Sequence, residues 1–437
     1  MEYIKQVFFN KDLRKRVLFV LFLLFIFRLV SHIPIPVSDP ATLKYFLGNL
    51  FAQNSFLSFL DIFSGGGISR FSIAMMGVGP YITASIMIQL LTMVIPKFEV
   101  MSKEGEQGSH KLNQYSRIIA VPLAFFEGYG MIRFIQNVSA KSGADVIGTP
   151  SLAQWLIMLL SLTAGTIFLM WIGEIITEKG LGNGISLIIF AGILSRAPQT
   201  IYQSVSKVFL GQFDPQQLIR LISFTALGIF VVFLVVLITE GQREIPVSYA
   251  KKMRGIKTYG GIDTHLPLKL NTAGVIPIIF AGAFMNVPAV IGFFTNAKNV
   301  TLSKYAALIQ KTFAPDQIAY AVLFFILVFA FTFFSTFLYF KPKEVAENIQ
   351  KQGGFVPGIR PGKETENYLN YLISRITFWG AVFLGAIAVM PFVLQLFMKT
   401  TNLSLGGTSL LIAVSVALEI RKEISAQIVT RKYEALG

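Results

Sequence analysis

Long apolar segments constrain the fold of this sequence more than any other feature. A helix that crosses a bilayer needs about 20 mostly apolar residues, because each residue adds about 1.5 Å across a hydrocarbon core of about 30 Å. Ten segments meet or approach this requirement. They are centred on residues 17–30, 71–95, 118–135, 152–172, 185–194, 218–239, 273–294, 318–340, 372–398 and 408–418. The sequence therefore predicts an all-α membrane protein with ten transmembrane helices, of which the fifth continues past Pro198.

The composition agrees with burial in lipid and argues against metal or thiol chemistry. Hydrophobic residues make up 54% of the 437 positions and charged residues only 14%, whereas about a quarter of a soluble domain is charged. Cysteine is absent, and the three histidines, His32, His110 and His265, are far apart. Because thiolate and zinc sites need clustered Cys and His ligands, we expect neither a metal nor a cofactor.

The motifs of intramembrane hydrolases and of nucleotide-binding enzymes are missing. The sequence contains neither a His-Glu-x-x-His motif nor the Gly-x-x-x-x-Gly-Lys-Ser/Thr phosphate loop. Ser186 and Ser409 lie in apolar segments without a histidine to act as a base, and ordinary helix packing accounts for both. The sequence therefore predicts a protein that is not an enzyme.

The distribution of Lys and Arg predicts the orientation of the spans. Cationic flanks stay on the cytoplasmic side during insertion. If the N-terminus is inside, the inner connections contain more than twice as many Lys and Arg residues as the outer ones. We therefore predict that both termini are cytoplasmic, which ten spans require.

Two long basic connections, residues 241–269 and 341–371, lie on that inner side. The second contains the turn-rich sequence GGFVPGIRPG at residues 353–362. Basic protrusions suit an acidic motor surface or the phosphates of ribosomal RNA. Both connections are therefore predicted docking surfaces.

Short matches between the two halves of the sequence indicate an internal repeat. GVGP at residues 77–80 in the second span corresponds to GVIP at 274–277 in the seventh, and ISLII at 185–189 in the fifth corresponds to TSLLI at 408–412 in the tenth. Five spans per half give the halves opposite topology. We predict an N-terminal half, residues 1–200, and a C-terminal half, residues 201–437, related by an axis in the membrane plane.

Few charges lie inside the spans. Glu127 lies in the outer part of the third span, and Glu174 and Glu240 lie near the inner ends of the fourth and sixth. Ion-coupled transporters usually carry charges within the membrane, so this pattern counts against a secondary transporter of a small solute, which the repeat alone would permit. A lipid-facing insertase or scaffold without an aqueous pore is a further alternative.

The segment before the second span, SFLSFLDIFSGGGISR at residues 55–70, has an unusual composition. Its apolar part is too short to cross a bilayer, and three glycines follow. It is either an interfacial helix or a re-entrant half-helix, which requires surrounding protein. The second reading favours a pore over a scaffold.

Six motifs in order carry a resemblance to a known family. They are GPYITASIMIQLL at residues 79–91, KEGE at 103–106, GLGNGIS at 180–186, HLPLKLN at 265–271, FVPGIRPG at 355–362 and GGTSLLI at 406–412. Over nearly its full length the sequence resembles the SecY family, the channel subunits of the bacterial Sec protein translocon. The resemblance implies two five-helix halves around an hourglass pore that opens sideways to lipid.

The resemblance also assigns roles to particular residues. An apolar ring at the waist of the pore would consist of Val78, Ile82, Ile185, Ile189, Ile279 and Ile412. A plug at about residues 53–67 would include Phe56, Leu57, Phe59, Leu60, Ile62 and Phe63, with Gly65, Gly66 and Gly67 as a hinge. Gln89 and Asn271 would hydrogen-bond across a lateral gate between spans two and three and spans seven and eight. Branched apolar side chains make a compliant, dewetted seal, which fits the ring.

The partners follow from the same resemblance. The chain is expected in the bacterial cytoplasmic membrane with SecE and SecG subunits, where it passes unfolded preproteins and admits signal sequences to the lipid bilayer. Arg243 and Arg360 would contact the ATPase motor SecA or the ribosome. Nucleotide hydrolysis would then belong to the motor.

Overall fold

The computed structural model describes residues 11–36, 42–43, 45–48, 61, 64–141, 147–148, 150–209, 215–249, 252–254, 257–259, 264–294, 317–398 and 407–434. Most of these residues are helical. The helices are α1 (Lys11–Val30), α2 (Gly79–Val94), α3 (Pro96–Lys103), α4 (Glu106–Lys141), α5 (Leu152–Lys179), α6 (Gly184–Phe209), α7 (Pro215–Glu240), α8 (Ile276–Phe294), α9 (Ile318–Tyr339), α10 (Pro342–Lys351), α11 (Lys363–Met398) and α12 (Gly407–Glu434). The strands are β1 (Gln242–Tyr249), β2 (Lys252–Arg254), β3 (Lys257–Tyr259), β4 (Thr264–Lys269) and β5 (Gly354–Phe355).

The described helices identify a multi-pass membrane protein. Four helical stretches are each long and apolar enough to cross a bilayer, namely Glu106–Ser139, Leu152–Lys179, Ile318–Lys351 and Lys363–Met390. Helices α2 and α3 together would make a fifth, although they are bent by 103°. A helix overlaps each of the ten segments that the sequence predicts. Some of these helices have apolar parts too short to meet the same criterion, such as Thr225–Glu240.

The first part of the second predicted span is not helical, so the prediction of a span from residue 71 is wrong there. Phe71 and Gly77 have positive φ angles of 49° and 56°. The amide of Ile35 donates to the carbonyl of Phe71 (2.9 Å), and the amide of Ile73 donates to the carbonyl of Ile33 (3.0 Å). These bonds tie the segment to the chain that follows α1. Helix α2 begins only at Gly79, where Pro80 suits the first turn.

The two segments with the weakest apolar signal are long helices. Helix α6 has 26 residues and contains Pro198, which confirms that the fifth segment continues past that proline. Helix α12 has 28 residues, well beyond the predicted 408–418. Its second half carries charged residues that apolarity alone does not detect.

The two basic connections contain a sheet, so the all-α prediction is incomplete. Strand β1 pairs antiparallel with β4, and Arg243 lies opposite Leu268. The other end of β1 pairs with β5, where Ser248 lies opposite Phe355. The order β4-β1-β5 therefore joins residues from both connections in one three-stranded sheet, and β2 and β3 form a separate hairpin. An apolar cluster including Ile245, Val356 and Leu369 fixes this sheet on α10 and α11.

One large apolar cluster occupies the centre of the molecule. It draws side chains from α1, α5, α6, α7, α8, α9, α11 and α12 and from the segment before α2. Helix α4 packs on α2 and α5, and α9 packs on α8 and α11. Because helices from both ends of the chain contribute, this cluster is where the two sequence halves meet.

Candidate functional site

The six residues of the predicted ring all lie in this central cluster. Val78, Ile189 and Ile412 belong to its buried part, with 2%, 1% and 0% of their surface exposed. Partly buried side chains pack against them, and these include Ile82, Ile185 and Ile279. The ring residues come from α2, α6, α8 and α12 and from the turn before α2. The structure thus brings together residues that are up to 334 positions apart, from 78 to 412.

The chemistry of this centre is purely apolar at the six positions. Five of the six are isoleucine and the sixth is valine. Such side chains offer no hydrogen bond to a passing chain and no ligand to an ion, while their branched shape fills space. Within the described ranges, no three His, Asp or Glu side chains lie together as metal ligands. These six side chains can seal or yield, but they carry no polar group.

Of the predicted gate residues, Gln89 lies on α2 and Asn271 lies in the turn between β4 and α8, and they do not bond to each other. Helix α8 packs against both α2 and α4. The Gln89 amide donates to the Ser85 hydroxyl (3.4 Å), and the Asn271 amide donates to the carbonyl of Gly274 (3.2 Å). The predicted Gln89–Asn271 hydrogen bond is therefore not formed. Their side-chain oxygens, Gln89 Oε1 and Asn271 Oδ1, are buried and have no hydrogen-bond partner in the part of the chain that the structure describes.

Much of the predicted plug lies outside the described residues. This applies to Phe56, Leu57, Phe59, Leu60, Ile62 and Phe63. The end of the segment is described, and it forms a tight polar turn. Asp61 Oδ1 accepts a hydrogen bond from the amide of Ser69 (2.8 Å), and the Ser64 hydroxyl oxygen accepts one from the amide of Gly67 (3.0 Å).

Two of the three glycines of the predicted hinge, Gly65 and Gly67, are closely packed. Gly65 and Gly66 have positive φ angles of 65° and 87°, which L-residues with side chains rarely adopt. A Cβ on Gly65 would lie 2.7 Å from the ring of Phe27, and one on Gly67 would lie 2.6 Å from the carbonyl oxygen of Ala74. In this structure the glycines therefore permit a close approach to α1 and to the segment before α2.

Sequence reasoning missed the arginine that contacts this turn. Arg28 Nη1 on α1 donates to the carbonyl of Gly65 at 2.6 Å. Arg70 ends the same turn, and among the described residues its buried Nη1 has no acceptor. The signal was present, because Arg28 is the only charged residue between positions 17 and 30. A charge inside a predicted span marks a functional position.

The two predicted docking residues are exposed on one folded unit. Arg243 lies on β1, and Arg360 lies in the turn that follows β5. Gly358 and Gly362 in this turn have φ angles of 83° and 100°, and the Thr365 hydroxyl donates to the carbonyl of Arg360 (2.9 Å). Parts of both basic connections therefore lie together on one folded surface.

The helix-end carboxylates that the sequence suggested are paired. Glu174 on α5 forms an ion pair with Arg117 on α4, and the two side chains are 18% and 31% exposed. Glu240, at the end of α7, pairs with Arg421 (3.3 Å) and Lys422 (3.2 Å) of α12. Both contacts join neighbouring helices. Sequence reasoning identified the acids but not their partners, because those lie on helices distant in the chain.

Comparison with known proteins shows which family this chain belongs to. A family model described as SecY matches residues 72–421. The chain belongs to the SecY family. Protein translocase subunit SecY of Thermotoga maritima is 40% identical over 435 residues, covering 98% of this chain and 96% of that protein. The SecY subunits of Bacillus licheniformis and Aquifex aeolicus are 41% and 39% identical, over 97% and 99% of this chain and 96% and 99% of theirs.

Solved structures have the same fold. A structure of a protein-conducting channel superimposes with a TM-score of 0.61 at 18% identity, covering 94% of this chain and 91% of that one. Sec61 in a canine ribosome–channel complex from the endoplasmic reticulum gives 0.59 at 17% identity, with the same coverage. At 17–18% identity the likeness shows that the folds agree, but it does not show that individual contacts are the same.

Proposed function

We propose that this chain is the channel subunit of a bacterial protein translocon, not an enzyme. It conducts unfolded secretory polypeptides across the cytoplasmic membrane and releases apolar segments sideways into lipid. The observation that carries the proposal is the convergence of Val78, Ile82, Ile185, Ile189, Ile279 and Ile412 in one central apolar cluster. A ring without polar groups can close around a polypeptide of any sequence, which suits a channel with many substrates.

The architecture that we propose has ten spanning helices in two inverted halves, residues 1–200 and 201–437. Two corresponding turns support it. Gly77 and Gly274 both have positive φ angles, 56° and 66°, and each is followed by a helix whose second residue is a proline, Pro80 in α2 and Pro277 in α8. Equivalent local structure at equivalent positions is what a repeat produces.

The closing elements are proposed at two places. The plug, residues 53–67, closes the outer side of the ring, and the 64–70 turn connects it to α2. The lateral gate lies where α8 packs against α2 and α4, with Gln89 and Asn271 at its polar positions. A signal sequence competes for this contact, and the unpaired amide oxygens mean that little hydrogen bonding opposes it.

The partners that we propose act from the inner side. Arg243 and Arg360 on the β4-β1-β5 sheet contact the motor SecA or the ribosome, and both termini are cytoplasmic. A ribosome is present in the canine complex to which the fold is similar. SecE and SecG complete the complex, and ATP hydrolysis takes place on the motor.

Reconstitution tests the proposal. The chain is incorporated into proteoliposomes with its co-purifying subunits, and SecA, ATP and an unfolded preprotein are added outside. We expect preprotein to become protected from protease only with ATP, and Arg360→Glu to abolish protection. Lys103→Glu, a charge reversal on α3 outside the sheet, is the matched control and should retain protection. Absence of protection although the motor binds would contradict the proposal and favour a small-solute transporter.

A further inference from the structure

We infer that Arg28 is a positioning residue that holds the 64–70 turn in the resting state, and that Arg70 opposes it. The two arginines thus set the balance between closed and open forms from opposite sides. This inference rests on the proposed channel function, because its consequence is a change in resting closure. It assigns a role to two charges that apolar packing does not explain.

The contact of Arg28 is the first observation. Its Nη1 atom donates to the carbonyl of Gly65 at 2.6 Å, between residues 37 positions apart. A hydrogen bond from a charged donor is short and strong, especially away from bulk water. The carbonyl belongs to a glycine with a positive φ angle that lies against Phe27 and Gly192. Arg28 therefore binds the turn at a point where its backbone is already closely packed.

The position of Arg28 on its helix supports a built contact. The carbonyl of Arg28 accepts from the Ser31 hydroxyl (2.8 Å) and lies 2.7 Å from Nδ1 of His32. These contacts fix the end of α1 from which the guanidinium group extends. Its target is a main-chain carbonyl, so the contact depends on the backbone path of the turn and not on the identity of the side chain at position 65.

The situation of Arg70 is the second observation. It is the last residue of the 64–70 turn, to which Arg28 binds at Gly65, and its Nη1 is buried without an acceptor among the described residues. The only acidic residue between positions 51 and 70 is Asp61. That carboxylate accepts hydrogen bonds from the amide of Ser69 and the hydroxyl of Ser64 within the turn. The resting arrangement thus holds two like charges together.

The opposed contributions give a directional prediction. Removing Arg28 removes the bond that holds the turn, whereas neutralising Arg70 removes a repulsion and a buried unsatisfied donor. The loss of a charged hydrogen bond shifts an equilibrium about tenfold or more. Substitutions at the two neighbouring arginines should therefore change resting closure in opposite directions. A role limited to packing or net charge predicts the same direction for both.

The experiment uses the full chain with its co-purifying subunits in planar bilayers and in proteoliposomes. We compare Arg28→Met, Arg28→Lys and Arg70→Gln, with Arg133→Gln as control. Arg133 is another arginine at an outer helix end, but it stacks on Tyr129 and Trp155. The readouts are resting ion conductance without substrate and the protection of a preprotein with a defective signal sequence. Melting temperature in detergent verifies folding.

We expect Arg28→Met to raise resting conductance about tenfold and to pass the defective preprotein, and Arg28→Lys to restore part of the closure because lysine also donates. Arg70→Gln should lower resting conductance, and Arg133→Gln should match the wild type. Equal conductance of Arg28→Met and wild type, or a change in the same direction for both arginines, would overturn the inference. Failure of the wild type to translocate an intact preprotein would instead overturn the proposed function. If Arg28→Met does not fold, Arg70→Gln alone decides by its direction.

Discussion

The apolar centre and the polar contacts at its two ends are stabilised in different ways. Six ring residues are part of one large cluster to which eight helices contribute, so many side chains share the packing. At the ends, single contacts matter, such as Arg28 with Gly65 at one end, while the Gln89 and Asn271 amides at the predicted gate each make one local hydrogen bond. A centre held by many weak contacts can adapt to many substrates. Ends held by few contacts can act as switches.

The largest effect should come from a charge in the centre. Ile189→Asp places a carboxyl group where the side chain is 1% exposed and surrounded by apolar groups. Burial of an unpaired polar group costs several kcal/mol, so we expect more than about 3 kcal/mol of destabilisation and loss of translocation. The matched variant Ile189→Val should cost about 0.5–1.5 kcal/mol. The stability and the transport activity of both variants are measured by melting temperature and by preprotein protection. If Ile189→Asp is as stable as the wild type, water reaches the centre.

A smaller effect should follow from breaking the pair between α4 and α5. Arg117→Met leaves Glu174 without its partner at a position where the acid is 18% exposed, and we expect about 1–3 kcal/mol of destabilisation. Lys103→Met serves as the control, because the Lys103–Glu99 pair is more than half exposed on both sides and, screened by water, should contribute little to stability. Similar melting temperatures for both variants would show that the helix-end pairs are as weak as surface pairs.

Gly380 tests the connection between the docking sheet and the gate. A Cβ at this position on α11 would lie 2.7 Å from the carbonyl oxygen of Leu270, the residue that precedes Asn271. The amide of Leu270 donates to the carbonyl of Gly241 (2.9 Å), next to β1. Gly380→Ala must therefore displace the backbone at Leu270. Overpacking of this kind destabilises a protein by about 1–3 kcal/mol. We expect retained motor binding with reduced translocation.

Gly282→Ala on α8 is the matched control, because nothing lies within 4 Å of the added Cβ. Both variants replace a helical glycine by a residue with higher helix propensity, so only the close contact differs. Binding of SecA is measured by fluorescence and translocation by protease protection. If Gly380→Ala and Gly282→Ala reduce translocation equally, the contact of Gly380 with Leu270 does not connect the sheet with the gate.

The smallest effect concerns the gate amides. Gln89→Met removes a buried oxygen without a donor and gives up only a 3.4 Å contact to Ser85. Replacement of an unsatisfied group by an apolar one of similar shape is near neutral or stabilising, so we expect the closed gate to gain up to about 1 kcal/mol. Preproteins with weakly apolar signals should translocate more slowly. Faster translocation would mean that Gln89 stabilises the closed gate through a bond absent from this structure.

The sequence predicts the helical part of the fold well, because apolar length is a local property. It locates a helix at all ten segments, and it misplaces the start of the second because backbone bonds between residues 33–35 and 71–73 are long-range. It also misses the β4-β1-β5 sheet, because β5 begins 85 positions after β4 ends and the strands β1 and β4 contain prolines and charges. Apolar periodicity does not report such pairings.

The candidate site, like the fold, could be predicted from the sequence only in part. Motif matches named six ring residues that the structure places in one cluster, although their role in transport stays a prediction. The gate amides were named, but their mutual bond was not found, since side-chain torsions decide between a local and a cross-helix partner. Arg28 stood out as the only charge between positions 17 and 30, but its contact was not predicted because the acceptor is a main-chain carbonyl, which has no signature in the sequence.

Cross-linking within the channel tests the central claim most directly, and the absence of native cysteine allows it without prior substitutions. Single cysteines replace Ile82, Ile189, Ile279 or Ile412, and a preprotein with one cysteine is stalled during translocation. Phe22→Cys on α1 and Trp171→Cys on α5, which are 59% and 55% exposed, are the controls. The account predicts disulfides from the ring positions and none from the controls. Disulfides at the control positions with none at the ring would contradict it.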